Sequence, residues 1–205
     1  MISYAGTSPT AQTRVVRLHR RHRSGIDMLI TFPDFAVRDW RPDDAPSLAR
    51  HGNDRRIWLN MRDAFPYPYT IADAKAFLAF VADMQPRSYF AIAQEDQAIG
   101  GIGYTLRHDV ERISAEIGYW LGMAFWGRGI MTAALRAVTA YAFGEHPELR
   151  RLFAMPYAGS AASVRVLEKA GYRCEGRMRQ SAIKDGQIID QLLYAILRDE
   201  IEAGA

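Results

Sequence analysis

Two glycines flank an arginine between an apolar strand and a helix. The strand is predicted over residues 114–121, and Gly127, Arg128 and Gly129 lie between it and a helix that begins near Thr132. The first amides of a helix lack carbonyl partners and carry the positive end of the helix dipole, so an anion binds well there. Glycine has no Cβ to hold an anion away from the backbone, and Arg128 adds positive charge. This spacing predicts binding of a phosphate that belongs to an organic cofactor.

Two common nucleotide motifs do not fit this loop. A Walker-type loop ends in Gly-Lys followed by Ser or Thr, and no lysine follows Gly129. A dinucleotide fingerprint needs a third glycine, and Thr132 stands at that position. Both nucleotide interpretations are therefore weakened.

Two separated motifs resemble those of one protein family. Residues 126–131 read Trp-Gly-Arg-Gly-Ile-Met, and residues 160–172 read Ser-Ala-Ala-Ser-Val-Arg-Val-Leu-Glu-Lys-Ala-Gly-Tyr. Both motifs, in this order, are similar to those of the GNAT superfamily of acetyl-CoA-dependent N-acetyltransferases. Within it, they resemble the branch that acetylates the N-terminal alanine or serine of ribosomal proteins. The resemblance covers roughly residues 35 to 198.

The resemblance implies acetyl-CoA as the cofactor and no metal. It also implies that two strands of the sheet splay apart, so that backbone groups near Tyr119, Leu121 and Met123 pair with the pantetheine arm. The glycine loop would hold the pyrophosphate. The cofactor-binding residues expected in this way are Tyr119, Leu121, Met123, Trp126, Gly127, Arg128, Gly129, Ile130, Met131, Thr132, Ser160 and Ser163.

Two residues are candidates for catalysis. An acceptor amine is protonated at neutral pH, and the resemblance implies that Glu116, on the strand beside the thioester, takes that proton directly or through water. The alternative for Glu116 is a surface carboxylate paired to an arginine. By its place in the motif, Ser163 is the hydroxyl best positioned to protonate the departing thiolate, with Tyr157 and Tyr172 as further candidates. The alternative for Ser163 is a first-turn helix residue that bonds the backbone. A coenzyme A thiol leaves with little assistance, so no acid is obligatory.

The expected acceptor is a primary amine, either a protein N-terminal α-amino group or a small-molecule amine, which attacks acetyl-CoA directly in a ternary complex. Trp58, Phe65 and Tyr67 lie in the segment that forms the acceptor side in relatives, so they are expected to bind the substrate. Ordinary core packing is the alternative for these aromatic residues. A fold does not determine a substrate, and both acceptor classes stay open.

Three departures from the family pattern favour a rival function. Met131 stands where Gly or Ala is usual, Ser160 replaces an Asn that binds the pantetheine arm, and Leu167 occupies the position of a frequent tyrosine acid. A protein with these changes could be an acyl-CoA-binding module with little or no transferase activity. Turnover of acetyl-CoA with a panel of amines separates the two functions.

The elements that must position these residues alternate between strands and helices. Short apolar and alternating runs predict about seven strands, which cover residues 35–40, 88–93, 98–104, 114–121, 151–155, 172–183 and 188–197. Helices are predicted over residues 42–50, after an N-cap at Thr70, from near Thr132, and between an N-cap at Ser160 and Gly171. The Asp185-Gly186 pair predicts a hairpin.

These elements predict one α/β (α+β) domain over residues 28–205, and the resemblance implies that its fold is GNAT-like. Its sheet is expected to be central, twisted, mixed and mostly antiparallel, with helices on both faces. A helical crossover between the fourth and fifth predicted strands makes that pair parallel.

Composition limits the class of protein. A chain of 205 residues can bury one good core, and no apolar run approaches the roughly 18 residues of a membrane span. The single Cys174 cannot form an internal disulfide, and no Cys or His pair has metal-ligand spacing. We therefore expect a soluble, cytoplasmic protein, not a membrane protein, that is a monomer or homodimer.

The formal charge of +3 is concentrated in residues 1–27. Five arginines precede the first acidic residue, Asp27, and the remaining chain has 21 basic against 23 acidic residues. The segment lacks the apolar core of a secretory signal. We interpret it as a disordered basic leader, and contact with a ribosome or nucleic acid is the alternative function of this arm.

Overall fold

The computed structural model describes residues 28–202. The expected leader, residues 1–27, lies outside the described residues. The strands are β1 (Leu29–Thr31), β2 (Ala36–Asp39), β3 (Tyr89–Gln94), β4 (Gln97–Leu106), β5 (Ser114–Leu121), β6 (Arg151–Ala154), β7 (Arg173–Lys184) and β8 (Gln187–Leu197). They form one sheet in the order β1-β2-β3-β4-β5-β6-β8-β7. Only the β5–β6 pair is parallel, which confirms the expected mixed, mostly antiparallel sheet.

Helices cover both faces of the sheet, as expected. The described residues form α1 (Ala45–Gly52), α2 (Arg55–Trp58), α3 (Ile71–Ala82), α4 (Ile130–Glu145), α5 (Ala161–Ala170) and α6 (Arg198–Glu202). One apolar cluster joins α1 and α3, and a second, larger cluster joins the opposite face of the sheet to α4 and α5. Within residues 28–202, no helix is long and apolar enough to cross a membrane.

The sheet has eight strands, one more than the sequence predicted. The additional strand, β1, is only three residues long and pairs with β2 at the edge of the sheet. Met28, Ile30 and Phe32 are buried in the larger core cluster, and Met28 N donates a hydrogen bond of 3.0 Å to an Asp39 carboxylate oxygen. A strand this short has too few residues to show a period of two. Tertiary burial therefore defines β1.

Local sequence signals account for several element boundaries. Thr70 and Asp73 form a capping box at the start of α3, where the two side chains satisfy orphan amides reciprocally. The β7–β8 hairpin turns at Asp185 and Gly186, both with positive φ, as a two-residue hairpin turn requires. Helix α4 begins at Ile130, two residues before the predicted start at Thr132.

The parallel pair opens a cleft in the sheet. β5 and β6 pair only over the first three residues of each strand, from Ser114–Arg151 to Glu116–Phe153. Beyond Glu116, β5 continues to Leu121 while still paired with β4 on its other side. The second half of β5 therefore borders a cleft between β5 and β6. The expected splaying of these two strands accounts for it.

Candidate active site

A groove of about 450 Å³ follows this cleft. Its walls are residues of α2 and the turn after it (56–61), the end of β5 (119–121), the loop and first turn of α4 (125–127 and 129–132), and the start of α5 with the residues before it (159–169). We call it the donor groove. Four separate segments meet here, and α4 and α5 both begin at the open end of the cleft.

Most of the predicted cofactor-binding residues line the donor groove. Ten of the twelve do so: Tyr119, Leu121, Trp126, Gly127, Gly129, Ile130, Met131, Thr132, Ser160 and Ser163. Met123 and Arg128 do not. Met123 lies in the 3-10 turn Met123–Phe125, and the Arg128 guanidinium lies over the Phe125 ring, 5.5 Å from its centroid.

The register between β4 and β5 determines which backbone groups of β5 face the groove. Gly122 N donates a 2.8 Å hydrogen bond to Ile99 O, so this pair is a hydrogen-bonded pair of the β4–β5 ladder. Such pairs alternate with pairs whose backbone groups point outward, and Leu121 and Tyr119 belong to the second kind. Their N–H and C=O groups therefore point away from β4 toward the cleft, where the Leu121 carbonyl already accepts a 2.7 Å hydrogen bond from Trp126 Nε1.

The loop before α4 leaves its first amides accessible. Gly127 and Gly129 have φ of +76° and +77°, and a Cβ on either would meet no atom within 4 Å. Ala133 is the first residue of α4 whose amide donates to a carbonyl one helical turn earlier, that of Gly129. The amides of residues 130–132 precede it and have no such partner. They form an anion site at the positive end of the helix dipole.

Basic side chains that were not among the predicted site residues also border the donor groove. Arg56 of α2, together with Arg165 and Lys169 of α5, contributes to its walls. The Arg56 guanidinium is paired with the Asp54 carboxylate. Arg165 and Lys169 therefore supply the positive charge that favours an anionic ligand in the groove.

A second cavity of about 740 Å³ lies on the α1 and α3 face of the sheet. We call it the acceptor cavity. Its lining is mostly apolar, with many aromatic side chains, among them Trp40, Phe65, Tyr69, Phe77, Tyr89 and Trp120. The cavity has the size and apolar lining usual for a small-molecule site.

The two cavities are adjacent. Five residues line both of them: Asn60, Met61, Tyr119, Trp120 and Ser163. Tyr119 and Trp120 are neighbours on β5 and point to opposite faces of the sheet. The junction therefore lies where β5 has separated from β6.

Glu116 lines the acceptor cavity. Its Oε1 accepts a hydrogen bond from the Arg62 guanidinium, and the Glu116 and Arg62 side chains are 22% and 65% exposed. This ion pair matches the alternative for Glu116, a surface carboxylate paired to an arginine. The carboxylate thus has both features, a place in the cavity and an arginine partner.

Ser163 lies at the junction, in the first turn of α5. Its Oγ accepts a 3.1 Å hydrogen bond from Ser160 Oγ, and its backbone carbonyl accepts a 3.2 Å bond from the Tyr119 hydroxyl. Ser160 holds the predicted N-cap position, but its side chain bonds no backbone amide of the helix. Instead, the Ser160 hydroxyl donates to Ser163.

The two tyrosine candidates for a proton donor have different surroundings. Tyr157 lines the acceptor cavity, and its hydroxyl donates a 3.2 Å bond to Met61 O. Burial raises the pKa of the Tyr157 hydroxyl above its ordinary value, so it is protonated at neutral pH. Tyr172 is buried in the core and bonds the Thr139 hydroxyl at 2.8 Å. Tyr172 lines neither cavity, so Tyr157 is the tyrosine that the structure places beside the acceptor.

Of the predicted acceptor residues, only Phe65 lines the acceptor cavity. Trp58 and Tyr67 pack on each other with ring centroids 5.8 Å apart. The Lys184 ammonium, from the end of β7, lies 3.9 Å from the Trp58 ring centroid and 2.7 Å from an Asp63 carboxylate oxygen. Trp58 and Tyr67 therefore anchor the β7–β8 hairpin to the loop that carries Phe65.

Sequence reasoning missed the junction residues Asn60 and Met61 and the aromatic residues Trp40, Tyr89 and Trp120. The three aromatics looked like ordinary core residues of strands and strand ends. Asn60 and Met61 have no motif around them. Only their meeting with β5 in the folded chain identifies them.

Comparisons with known proteins agree with this geometry. A family model described as an acetyltransferase (GNAT) domain matches residues 34–173. The ribosomal-protein-serine acetyltransferase of Escherichia coli (strain K12) is 32% identical over 110 residues, which are 54% of this chain and 60% of that protein. The "Uncharacterized N-acetyltransferase p20" of Bacillus licheniformis is 26% identical over 170 residues, 80% of this chain and 93% of that protein. The matches to three of the curated relatives span 52% to 60% of their length.

Solved structures share the fold. The crystal structure of ribosomal-protein-S5-alanine acetyltransferase from Vibrio fischeri has a TM-score of 0.72 at 23% identity and covers 84% of this chain and 98% of that one. RimL, a ribosomal L7/L12 alpha-N-protein acetyltransferase in complex with coenzyme A, has a TM-score of 0.73 at 21% identity, covering 84% and 99% of the two chains. The family model spans well over half of the sequence, and the sheet has the splayed parallel pair that the motifs required. The chain belongs to the GNAT family of acetyltransferases.

Proposed function

We propose that this protein transfers the acetyl group of acetyl-CoA to a primary amine, which attacks directly in a ternary complex. The acceptor is a protein N-terminal α-amino group or a small-molecule amine. The observation that carries the proposal is the meeting of the donor groove with a separate acceptor cavity at Tyr119, Trp120 and Ser163. A ternary complex needs two ligands whose reacting atoms meet.

The donor groove fits acetyl-CoA. The outward-facing N–H and C=O groups of Tyr119 and the N–H group of Leu121 suit the amides of a pantetheine arm, which would extend the sheet as another strand does. The amides of residues 130–132 suit the pyrophosphate, with Arg56, Arg165 and Lys169 nearby. A structural neighbour, RimL, is in complex with coenzyme A. When bound, acetyl-CoA supplies the acetyl group as a thioester.

Glu116 is the proposed proton acceptor. The amine nitrogen forms a bond to the acetyl carbon, the carbon–sulfur bond breaks, and the proton that the amine loses moves to the carboxylate directly or through water. Glu116 lines the same cavity as the acceptor would. A Brønsted base at this place accepts the proton that the amine loses when it attacks the thioester.

Ser163 is the proposed donor to the departing thiolate. Its hydroxyl lies at the junction of both cavities and accepts a bond from Ser160 Oγ. That bond leaves the Ser163 proton free to point toward the groove. The thiolate takes this proton or leaves as the anion.

A module that binds acyl-CoA without transferring the acyl group is the second candidate. The Arg62 guanidinium on Glu116 favours it, because this hydrogen bond occupies a carboxylate oxygen that would otherwise accept the proton of the amine. The large acceptor cavity favours the transferase, since a binding module needs only the donor groove. Acetyl-CoA turnover with a panel of amines and peptides decides between them, and an absence of turnover with every amine would leave the binding module.

The cofactor assignment has its own test at Thr132. The helix dipole stabilises a carboxylate in the first turn of α4, but that carboxylate would repel a pyrophosphate. We therefore expect Thr132→Glu to fold and to lose acetyl-CoA binding, while the neutral variant Thr132→Gln keeps most of it. For the native protein, ligand at 100 times its Kd adds about 2.7 kcal/mol of stability, which a thermal shift measures. An equal thermal shift with acetyl-CoA in both variants would show that this loop does not bind the pyrophosphate.

A further inference from the structure

Two glycines lie directly opposite each other in the floor of the acceptor cavity. Gly103 of β4 pairs with Gly118 of β5, and both line the cavity together with Gly101. Glycine weakens a strand interior, and it often marks a place where a ligand or another backbone approaches closely. Three glycines on one face of adjacent strands therefore need an explanation.

The protein's own aromatic side chains explain two of them. A Cβ on Gly101 would lie 2.8 Å from Trp120 Nε1 and 3.0 Å from Trp40 Cζ2. A Cβ on Gly103 would lie 2.9 Å from Tyr89 Cδ1 and 2.7 Å from the Ser88 carbonyl oxygen. These two glycines make room for side chains that pack on the sheet.

Gly118 has no such explanation. A Cβ at this position would meet no atom within 4 Å, and its φ lies outside the left-handed region. The backbone conformation and the space therefore both permit a larger residue in the middle of β5. A residue with a side chain would also raise the β-propensity of the strand. The open space above Gly118 belongs to the acceptor cavity.

The neighbours of Gly118 define what could occupy that space. Glu116 and Trp120 flank it two residues away on the same face of β5, each about 6.6 to 6.8 Å along the strand. The Phe65 ring packs against the Trp120 indole with centroids 5.7 Å apart. The gap thus has a peptide floor, an aromatic wall on the side of the junction and a carboxylate on the other side.

Several polar side chains around the cavity already have partners within the protein. The Tyr89 hydroxyl bonds Thr105 Oγ1 at 2.8 Å, and Asp73 bonds Thr70 in the capping box. The Tyr157 hydroxyl bonds Met61 O. A peptide inserted deeply here would bury backbone N–H and C=O groups with few partners, which is unfavourable. A flat apolar group has no such requirement.

We propose that Gly118 receives the flat, aromatic part of a small primary amine, and that such an arylalkylamine is the acceptor class. The inference rests on the proposed function and selects between its two acceptor classes. The ring lies on the bare backbone of β5 beside Trp120, and the amine nitrogen lies within reach of the Glu116 carboxylate. A protein N-terminus is then a poor acceptor.

Filling the space above Gly118 tests the proposal. We use 2-phenylethylamine as the arylalkylamine, n-butylamine as a narrow amine, and a short peptide that begins with serine. Gly118→Val should lower kcat/KM for 2-phenylethylamine by on the order of 10²-fold, because a displaced acceptor loses its attack geometry, with a smaller loss for n-butylamine. Gly176→Val is the matched control: Gly176 is also a strand glycine with no atom within 4 Å of its Cβ position, and it lies outside the acceptor cavity.

The outcomes separate the inference from the proposed function. If the native protein prefers the serine peptide, or if Gly118→Val leaves kcat/KM for 2-phenylethylamine unchanged, the acceptor class is wrong while the transferase stands. If no amine is acetylated, the proposed function fails. In that case tryptophan fluorescence still tests the binding site. Quenching by 2-phenylethylamine in the native protein that is lost in Gly118→Val supports a site above Gly118, and equal quenching in both proteins contradicts it. Gly118→Ala replaces the valine variant if the latter does not fold.

Discussion

The Arg62 guanidinium donates a hydrogen bond to Glu116 Oε1 in the wall of the acceptor cavity. Arg62 belongs to the loop after α2, and Glu116 belongs to the third position of β5, so the ion pair joins the loop to the sheet. Because the Arg62 side chain is 65% exposed, such a pair stabilises the fold by only about 0 to 1 kcal/mol. A substrate ammonium can therefore replace Arg62 on the carboxylate at little energetic cost.

Replacement of Glu116 by glutamine should lower turnover by about 10²-fold near neutral pH, because the proton acceptor is removed. Affinity for acetyl-CoA should change little, and raising the pH should recover part of the rate as more of the amine becomes neutral. Initial rates from pH 6.5 to 9.5 measure this. Glu175→Gln is the control, since Glu175 is also paired with an arginine, Arg151, but lies outside both cavities. A full-rate Glu116→Gln enzyme would make the carboxylate structural.

Replacement of Arg62 by glutamine should lower KM for the amine. The variant removes the cation that competes with the substrate ammonium for Glu116, and it should leave the melting temperature nearly unchanged, since an exposed pair contributes little. Steady-state kinetics with varied amine measure the KM. An increase in KM would show that Arg62 binds the substrate instead of competing with it.

Ser163→Ala and Ser160→Ala form a matched pair. Each removes the same Ser160–Ser163 hydrogen bond, so each should lose a similar 0.5 to 1.5 kcal/mol of stability. Only Ser163→Ala also removes the proposed proton donor, and it should show the lower kcat at saturating acetyl-CoA. Equal kcat values in the two variants would assign Ser163 a purely structural role.

His51 should make stability depend on pH below neutrality. Burial, with a smaller contribution from Arg50, lowers the pKa of the His51 imidazole from its ordinary value of 6.5, and its Nε2 is buried without a hydrogen-bond partner in residues 28–202. Between the lowered and the ordinary pKa, the unfolded state binds more protons than the folded state, so stability falls as the pH falls. The His51 contribution is fully present above pH 6.5 and decreases as the pH passes through the folded pKa.

A ring-preserving variant isolates this effect. His51 packs edge-on against Phe125 with centroids 5.3 Å apart, and His51→Phe keeps a ring there but cannot bind a proton. Melting temperatures between pH 7.5 and 5 should fall less steeply in His51→Phe than in the native protein. Parallel slopes would mean that other groups cause the acid sensitivity.

A chain that begins at Met28 should fold and acetylate a small amine at the full-length rate. Among residues 28–202, those that line the two cavities begin at Trp40. A chain that begins at Asp34 is the control, because it loses β1 and the buried Met28, Ile30 and Phe32 side chains, each worth about 1.5 to 3 kcal/mol of burial. Thermal melts and rates of the two shortened proteins check this. Loss of activity on removing residues 1–27 would make that segment part of the domain.

The sequence by itself determined the donor side of this protein. The phosphate loop depends on Gly127, Gly129 and the first amides of α4, which are contiguous in the chain, and its chemistry is set by backbone groups. The hairpin at Asp185-Gly186 and the capping box at Thr70 were predictable for the same reason, since neighbouring residues satisfy their own backbone. Alternating apolar patterns likewise predicted all but one of the strands.

Only the tertiary structure decided the acceptor side. Trp40, Tyr89 and Trp120 converge over Gly101 and Gly103 although they are far apart in the chain, and no local pattern distinguishes them from core residues. The Arg62–Glu116 pair and the packing of Lys184 on Trp58 also join distant segments. Such contacts arise from the packing of whole elements, whose relative positions depend on the buried surface of the entire sheet. The open space above Gly118 is a product of that packing, and no residue in the sequence marks it.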